Sequence, residues 1–391
     1  MSAIRNLYKK FVVSEIKNAD TVPDVAEWKI LLANLGEPTD ALDAAFKKYR
    51  CRSRYMSKKK ALALDAAAEA VLLRADLRVK KPIGRLKEPE EGVLLVETRK
   101  EIDYHEVAPE ELIARYPTVR TTPILLQAPY GELVEEAVPL YREARQRYRS
   151  HPYFVLFLLK ELTKHSHYLL ENNPAATALF GEERNLASPV LRKLYEDSGR
   201  KLISFMHGEY LLQLIQAYMG FSEYWVWDEQ YVDMFSRELR CGIGEYHVYT
   251  PRKLRKKWHL EDIEPEYYCT YYFSGESERA VRAVAEVFRE LQARGARCLV
   301  RPHPRYSHRE LIDSVFGDMV EDPRSVSMEE SLGRTRYVVG LSTTVHSEAY
   351  VEGRIPVIDD RTDPDKFRSL ADREYIALKR PHRLLSELIE E

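Results

Sequence analysis

The sequence predicts an α/β protein built from two Rossmann-like domains, and three observations carry that expectation. Short apolar runs rich in β-branched residues end in loops of Ser, Thr, Gly, His and Pro. Helical patterns separate these runs, an alternation that calls for parallel strands joined by crossover helices. At 391 residues, 45% of them hydrophobic, the chain exceeds one ordinary core and can bury two. The boundary is expected near residue 250, giving domains over 1–250 and 251–391, the first with a helical extension at its start.

Composition excludes several classes. Sixty basic and 62 acidic residues leave a net charge of −2, which argues against a general nucleic-acid binder. The four cysteines, Cys51, Cys241, Cys269 and Cys298, have no CxxC spacing, so neither a zinc site nor a disulfide framework is indicated. The amino-terminal residues lack the apolar core of a signal peptide, and the most apolar run elsewhere, Tyr153 to Leu159, is too short to span a bilayer. These features predict a soluble, cytoplasmic protein, peripheral at a membrane surface at most.

Taken in order, residues 1 to about 80 read as helical, with Ala and Leu at helical spacing in Asp40–Tyr49 and Lys60–Leu77. Between them Lys47, Lys48, Arg50, Arg52, Arg54, Lys58, Lys59 and Lys60 form a basic cluster without an acid, interleaved with Tyr49 and Tyr55. Such a cluster suits a polyanionic acceptor glycan or an anionic membrane surface, with nucleic acid a third partner; the plain alternative is a solvated helix face. Gly92–Glu97 and Thr122–Gln127 read as buried parallel strands, and Glu132–Tyr148 and Tyr153–Leu170 as helices. Glu132, Glu135 and Glu136 follow a strand-end loop and suit the positive end of a helix better than a cleft.

Lys201–Met206 reads as a strand ending in His207-Gly208-Glu209, a titratable pair beside a glycine that lets a ligand approach the backbone. Phe221–Tyr231 and Gly244–Thr250 alternate aromatic and polar residues like strands, with Trp225 and Trp227 read as core rather than as a sugar platform. Residues 252–266, charged and marked by proline, read as the linker.

The second domain opens with the strand Tyr267–Phe273, the small-residue loop Ser274-Gly275-Glu276-Ser277 and a helix over Glu278–Gly295. Such a loop at a first strand end commonly admits a phosphate or ribose. Arg297–Val300 is the next strand and empties into Arg301-Pro302-His303-Pro304-Arg305. The two prolines fix the backbone around His303, which is thereby placed to protonate or hydrogen-bond a departing phosphate. Tyr337–Gly340 stops at Leu341-Ser342-Thr343-Thr344 before a helix at Val345–Tyr350. Three hydroxyls and unpaired N–H groups at a helix start suit an anion, where one alone would suit a cap. These last two strands are expected to be neighbours that deliver their loops to one sheet edge. Arg380–Glu391 reads as a final helix placed to pack back across the first domain.

The sequence Arg301-Pro302-His303-Pro304, the segment Glu329, Glu330, Ser331, Leu332, and then Ser342-Thr343-Thr344 with Glu348 and Gly353 resemble the carboxyl half of bacterial GT-B sialyltransferases. The similarity is greatest to the capsule polysialyltransferases and lipooligosaccharide sialyltransferases, with a more distant similarity to the CDP-glycerol glycerophosphotransferases of teichoic acid synthesis. It covers residues 200–360. It implies a GT-B fold, two Rossmann-like domains facing across a cleft, the first on the acceptor side and the second holding the nucleotide sugar.

The implied activity is inverting transfer of sialic acid from CMP-sialic acid to a bacterial surface glycan or glycolipid, with peripheral contact at the inner membrane surface as an alternative use of the basic cluster. The resemblance assigns the His303-Pro304 motif and the later Ser342-Thr343-Thr344 motif to the CMP of the donor; with the residues read above, the candidate donor set is Ser274, Gly275, Arg301, Pro304, Arg305, Glu329, Ser331, Ser342, Thr343 and Thr344, and His303 is expected to serve the leaving nucleotide. His207 and Glu209 compete for the base: the glycerophosphotransferases use a histidine after such a strand, whereas the polysialyltransferases use an amino-domain carboxylate. No metal is expected, because Asp359 and Asp360, after the strand Ile355–Ile358, run into a turn rather than a metal cage. Two other classes stay open: CDP-polyol phosphate transfer on the same scaffold, and a non-catalytic glycan- or nucleotide-binding protein.

Overall fold

A computed structural model describes residues 25–54, 56–97, 103–123 and 128–391. The described chain divides into two units. One runs to Gly208 and resumes over Leu212–Arg252; the other consists of Glu209–Leu211 with Lys253–Glu391. Both are parallel α/β sheets, the two Rossmann-like units of the expected class.

The first unit holds β1 (Glu90–Glu97), β2 (Val119–Pro123), β3 (Pro174–Phe180), β4 (Lys201–Phe205), β5 (Glu223–Val226) and β6 (Glu245–Val248), in the order β2-β1-β3-β4-β5-β6. Its central strand β3, Pro-Ala-Ala-Thr-Ala-Leu-Phe, is built of small residues and was not expected from the sequence. Its start is nonetheless marked, because Asn173 takes the left-handed conformation at φ 44° to end the helix Pro152–Asn172, and Pro174 follows. Trp225 and Trp227 are core: the Trp225 indole donates to Glu223 at 3.1 Å and the Trp227 indole to the Tyr249 hydroxyl at 3.0 Å. After β5 the expected strand gives way to the helix Glu229–Asp233, capped by Asp228. The end of the expected strand Thr122–Gln127 lies outside the described residues.

The second unit holds β7 (Tyr267–Tyr272), β8 (Cys298–Arg301), β9 (Thr335–Gly340), β10 (Ile355–Ile358) and β11 (Arg383–Leu384), ordered β11-β10-β9-β7-β8. The expectation that β8 and β9 are neighbours is therefore wrong. β7 pairs with both, as a first strand does when right-handed crossovers carry the chain to one side and then the other. The helix Glu278–Ala293 begins at Ser277, whose hydroxyl accepts from Ala280 N–H at 3.3 Å, and buries Val281, Val284, Phe288 and Leu291 against the sheet. Burying each such side chain is worth about 1.5–3 kcal/mol.

The final helix, expected to pack back across the first domain, is Leu385–Glu390, and its apolar residues are buried within its own unit. Leu385, Leu388 and Ile389 lie in the core cluster with Val287, Phe288 and Leu291 of their own unit. Among the described residues no helix is long and apolar enough to cross a membrane.

Candidate functional site

In an open parallel sheet, ligands sit beyond the carboxyl ends of the strands where the strand order reverses. In the second unit that reversal lies between β7 and β9, so the loops after β8, β7 and β9 stand side by side there.

The β8 loop carries His303. Arg305 N–H and Tyr306 N–H donate to its Nδ1 at 3.0 and 3.3 Å, and its own N–H donates to the Ser307 hydroxyl at 2.8 Å. Tyr306 stacks on the ring at 4.5 Å. Two donors on Nδ1 require that nitrogen to be unprotonated, so the neutral ring carries its proton on Nε2 and offers one N–H. Burial, and next the Arg305 guanidinium, lower the pKa of His303 against an opposing pull from Glu276. Of the two roles expected for His303, hydrogen-bonding a phosphate oxygen fits this state and donating a proton from an imidazolium does not. Pro304 and Arg305 are exposed beside it.

Arg301 is not available to a ligand. It is buried at the end of β8, where its guanidinium pairs with Glu321 and donates to Val326 C=O at 3.0 Å. Glu321 also takes Arg334 at 2.6 Å, so one fully buried carboxylate is shared by two arginines. Ser331 is corrected likewise: it is buried and its hydroxyl bonds the Tyr272 hydroxyl at 2.8 Å. Glu329 is exposed on the helix Met328–Gly333.

At the β9 loop the expected free backbone cradle is largely used up. Thr343 N–H donates to the Tyr375 hydroxyl at 3.3 Å, Val345 N–H to Thr343 Oγ1 at 3.3 Å, and His346 and Ser347 N–H to the carbonyls of Thr343 and Thr344. A Cβ on Gly340 would lie 2.9 Å from Thr343 Cγ2, so this close approach needs glycine at the strand end. The hydroxyls of Ser342 and Thr344 remain, half-buried and exposed respectively.

In its first turn, the helix Val345–Val351 brings Ser347 against Glu209: the Ser347 hydroxyl donates to that carboxylate and accepts from Arg380 at 2.9 Å. Burial, the largest influence, raises the Glu209 pKa, with Ser347 and Arg380 opposing. Glu348 beside it is also raised by burial, against Lys257 and Lys253. The two rivals for the base thus separate: Glu209 groups with the second unit, while His207 stays in the first, its ring 6.3 Å from that of Phe180.

Sequence reasoning missed a further carboxylate pair at the first unit's own reversal point, beyond β3. Asn185 Nδ2 donates to Glu182 at 2.9 Å and to Glu161 at 3.1 Å, and Lys164 pairs with Glu161 at 2.6 Å. Burial opposes the Glu161 charge, but Lys164 and Lys160 outweigh it and hold that carboxyl at about 2. Burial raises Glu182. Only Gly181 before Glu182 marked this strand end in the sequence.

Asp359 and Asp360 are both engaged. Asp359 accepts from the Tyr271 hydroxyl at 2.7 Å and from the N–H groups of Arg361 and Thr362; Asp360 accepts from Ser386 N–H and hydroxyl.

The basic cluster is not one surface. Lys48 is buried, and its ammonium donates to the carbonyls of Glu183, Ile215 and Ala217 at 2.9, 2.9 and 3.2 Å, which removes it from any polyanion track. Lys47 pairs with Asp43 at 3.1 Å and Arg54 with Glu27 at 2.9 Å. Arg52 lies over Phe157. Arg50, Lys58 and Lys59 are exposed and Lys60 half-buried, the last three opening the helix Lys58–Val79. Tyr55 lies outside the described residues.

No family model and no curated protein matches the chain. Solved structures similar to it include a glycotransferase of kitacinnamycin, 12% identical, with 78% of this chain and 92% of that one covered and a TM-score of 0.42. A UDP-GlcNAc 2-epimerase from Neisseria meningitidis bound to UDP-GlcNAc is 9% identical, with 76% and 90% covered and a TM-score of 0.43. A lipopolysaccharide outer core galactosyltransferase is 12% identical, with 70% and 81% covered and a TM-score of 0.40.

Proposed function

We propose that this chain is a glycosyltransferase that moves sialic acid from CMP-sialic acid to a glycan acceptor without a metal ion. The observation that carries the reading is His303. Two backbone donors hold its ring with the proton on Nε2, on the loop after the edge strand β8, and the hydroxyls of Ser342 and Thr344 follow β9, one strand beyond β7. A preset neutral donor and two hydroxyls suit a phosphate monoanion whose charge grows as the glycosyl bond breaks. They supply that stabilisation with no proton transfer to the phosphate. The engagement of Asp359 and Asp360 with Tyr271 and Ser386 supports the metal-independent form of the reading.

Glu209, its carboxyl raised by burial and steadied by Ser347, is the base we favour for the acceptor hydroxyl, since a carboxyl shifted toward neutral pH takes a proton more readily. CDP-polyol transfer gains support from His207 at the end of β4, a position matching the histidine of those enzymes. Incubation with CMP-sialic acid, CMP-Kdo, CDP-glycerol and UDP-sugars in EDTA, reading free nucleotide, separates the readings. Release of CMP from CMP-sialic acid is expected; release from CDP-glycerol alone, or only after Mg²⁺ is restored, overturns the proposal.

A further inference from the structure

Between the His303 loop and the Ser342–Thr344 loop lies the β7 loop, the position at which a small-residue turn ahead of a long helix would ordinarily receive a phosphate. It already holds an anion. The Glu276 side chain turns back on its own loop: Ser274 N–H and Gly275 N–H donate to Oε2 at 2.7 and 2.9 Å, and the Ser274 hydroxyl donates to Oε1 at 3.0 Å. Glu276 is only 5% exposed, so its carboxylate is built in rather than swinging in solvent.

The loop is fixed as well as filled. Gly275 sits at φ +106°, where other residues are strained, and a Cβ there would meet Tyr306 Cβ at 3.3 Å, the same Tyr306 that stacks on His303. The β7 and β8 loops therefore touch, and the carboxylate stands beside the imidazole. Three donors of the β7 loop, the N–H groups of Ser274 and Gly275 and the Ser274 hydroxyl, are spent on Glu276, and a second anion brought there meets a buried negative charge.

We infer that Glu276 sets donor specificity: its carboxylate occupies the place a second phosphate would need, so the site takes a nucleotide joined to its sugar through one phosphate and disfavours nucleoside diphosphates. The inference rests on the donor site proposed above and deepens it, because it names the residue that separates the two donor classes. The same position explains why Ser274 and Gly275 cannot themselves serve the donor phosphate while Glu276 is in place.

Calorimetric titration of the full chain with CMP and with CDP tests this, using the parent, Glu276→Ala and Glu276→Gln. The parent is expected to bind CDP no more tightly than CMP. Glu276→Ala frees two N–H groups and a hydroxyl, so CDP affinity should rise at least about tenfold against CMP, the least gain expected from charge-assisted bonds to a phosphate. Glu276→Gln keeps the shape and removes the charge, and should shift the ratio in the same direction by a smaller factor. If the alanine variant loses its melting transition, the glutamine variant decides the question. A parent that binds CDP about tenfold more tightly than CMP, or variants with an unchanged ratio, overturn the role of Glu276 while leaving a nucleotide site. A parent that binds neither nucleotide overturns the proposed function, and this inference with it.

Discussion

Arg301→Met should destabilise the second unit and leave nucleotide binding intact. The methionine fills most of the aliphatic volume but removes a guanidinium whose side chain is 8% exposed and whose partner Glu321 is fully buried. Breaking a buried ion pair costs about 3–5 kcal/mol, and Glu321 keeps Arg334 at 2.6 Å, which places the loss near the lower end, about 3 kcal/mol. The Val326 carbonyl also loses its donor. For a unit of this size such a loss lowers the melting temperature by roughly 10 °C. Guanidinium chloride unfolding measures the loss, and CMP calorimetry below the variant's melting range measures the site. A variant as stable as the parent but about tenfold weaker for CMP would refute the structural role and return Arg301 to the ligand.

Other perturbations have equally definite expectations. Lys48→Met leaves three buried carbonyls without their ammonium, and should cost on the order of 3 kcal/mol in denaturant titration; a loss under about 1 kcal/mol would mean the carbonyls find other donors. Ser342→Ala with Thr344→Ala should weaken CMP by about 2–3 kcal/mol at unchanged stability. Thr343→Ala, which removes the Oγ1 acceptor of Val345 N–H, should instead lower the melting temperature, and the reverse pattern would contradict the loop geometry. Because burial raises the Glu209 carboxyl, the folded protein holds its proton to higher pH than the unfolded chain does. Stability tied to Glu209 therefore falls as pH rises from the ordinary glutamate range through its raised value. Glu209→Gln should flatten that slope in melting curves taken across the window, and an unaltered slope would place the titration elsewhere.

Much of the second unit was legible because its strands are short, β-branched and end at marked loops. The run Tyr337–Gly340 stops at a glycine followed by Leu341 and three hydroxylated residues, and it forms the last four residues of β9. The strand order was not legible, since pairing is decided by crossovers and not by local pattern; hence β7 was left out from between β8 and β9. β3 escaped notice because three of its seven residues are Ala, which strands disfavour, and its buried pattern shows no alternation.

Buried charge was the other blind spot. Lys48 finds its acceptors at Glu183, Ile215 and Ala217, and Arg301 finds Glu321, partners no local window displays. A basic residue reads as a surface or ligand group until its distant partner is known. His303 was legible from its flanking prolines, but its tautomer depends on two backbone N–H groups that only the folded loop supplies.

The central claim, that the edge of the second sheet is a nucleotide site built on His303, Ser342 and Thr344, is tested most directly by CMP calorimetry on the parent and on the combined His303→Ala, Ser342→Ala, Thr344→Ala variant. The account predicts saturable binding by the parent and a loss of at least about a hundredfold in the variant, measured below the variant's melting range because His303→Ala also removes the acceptor of two loop N–H groups. Undiminished CMP binding by the variant would contradict it.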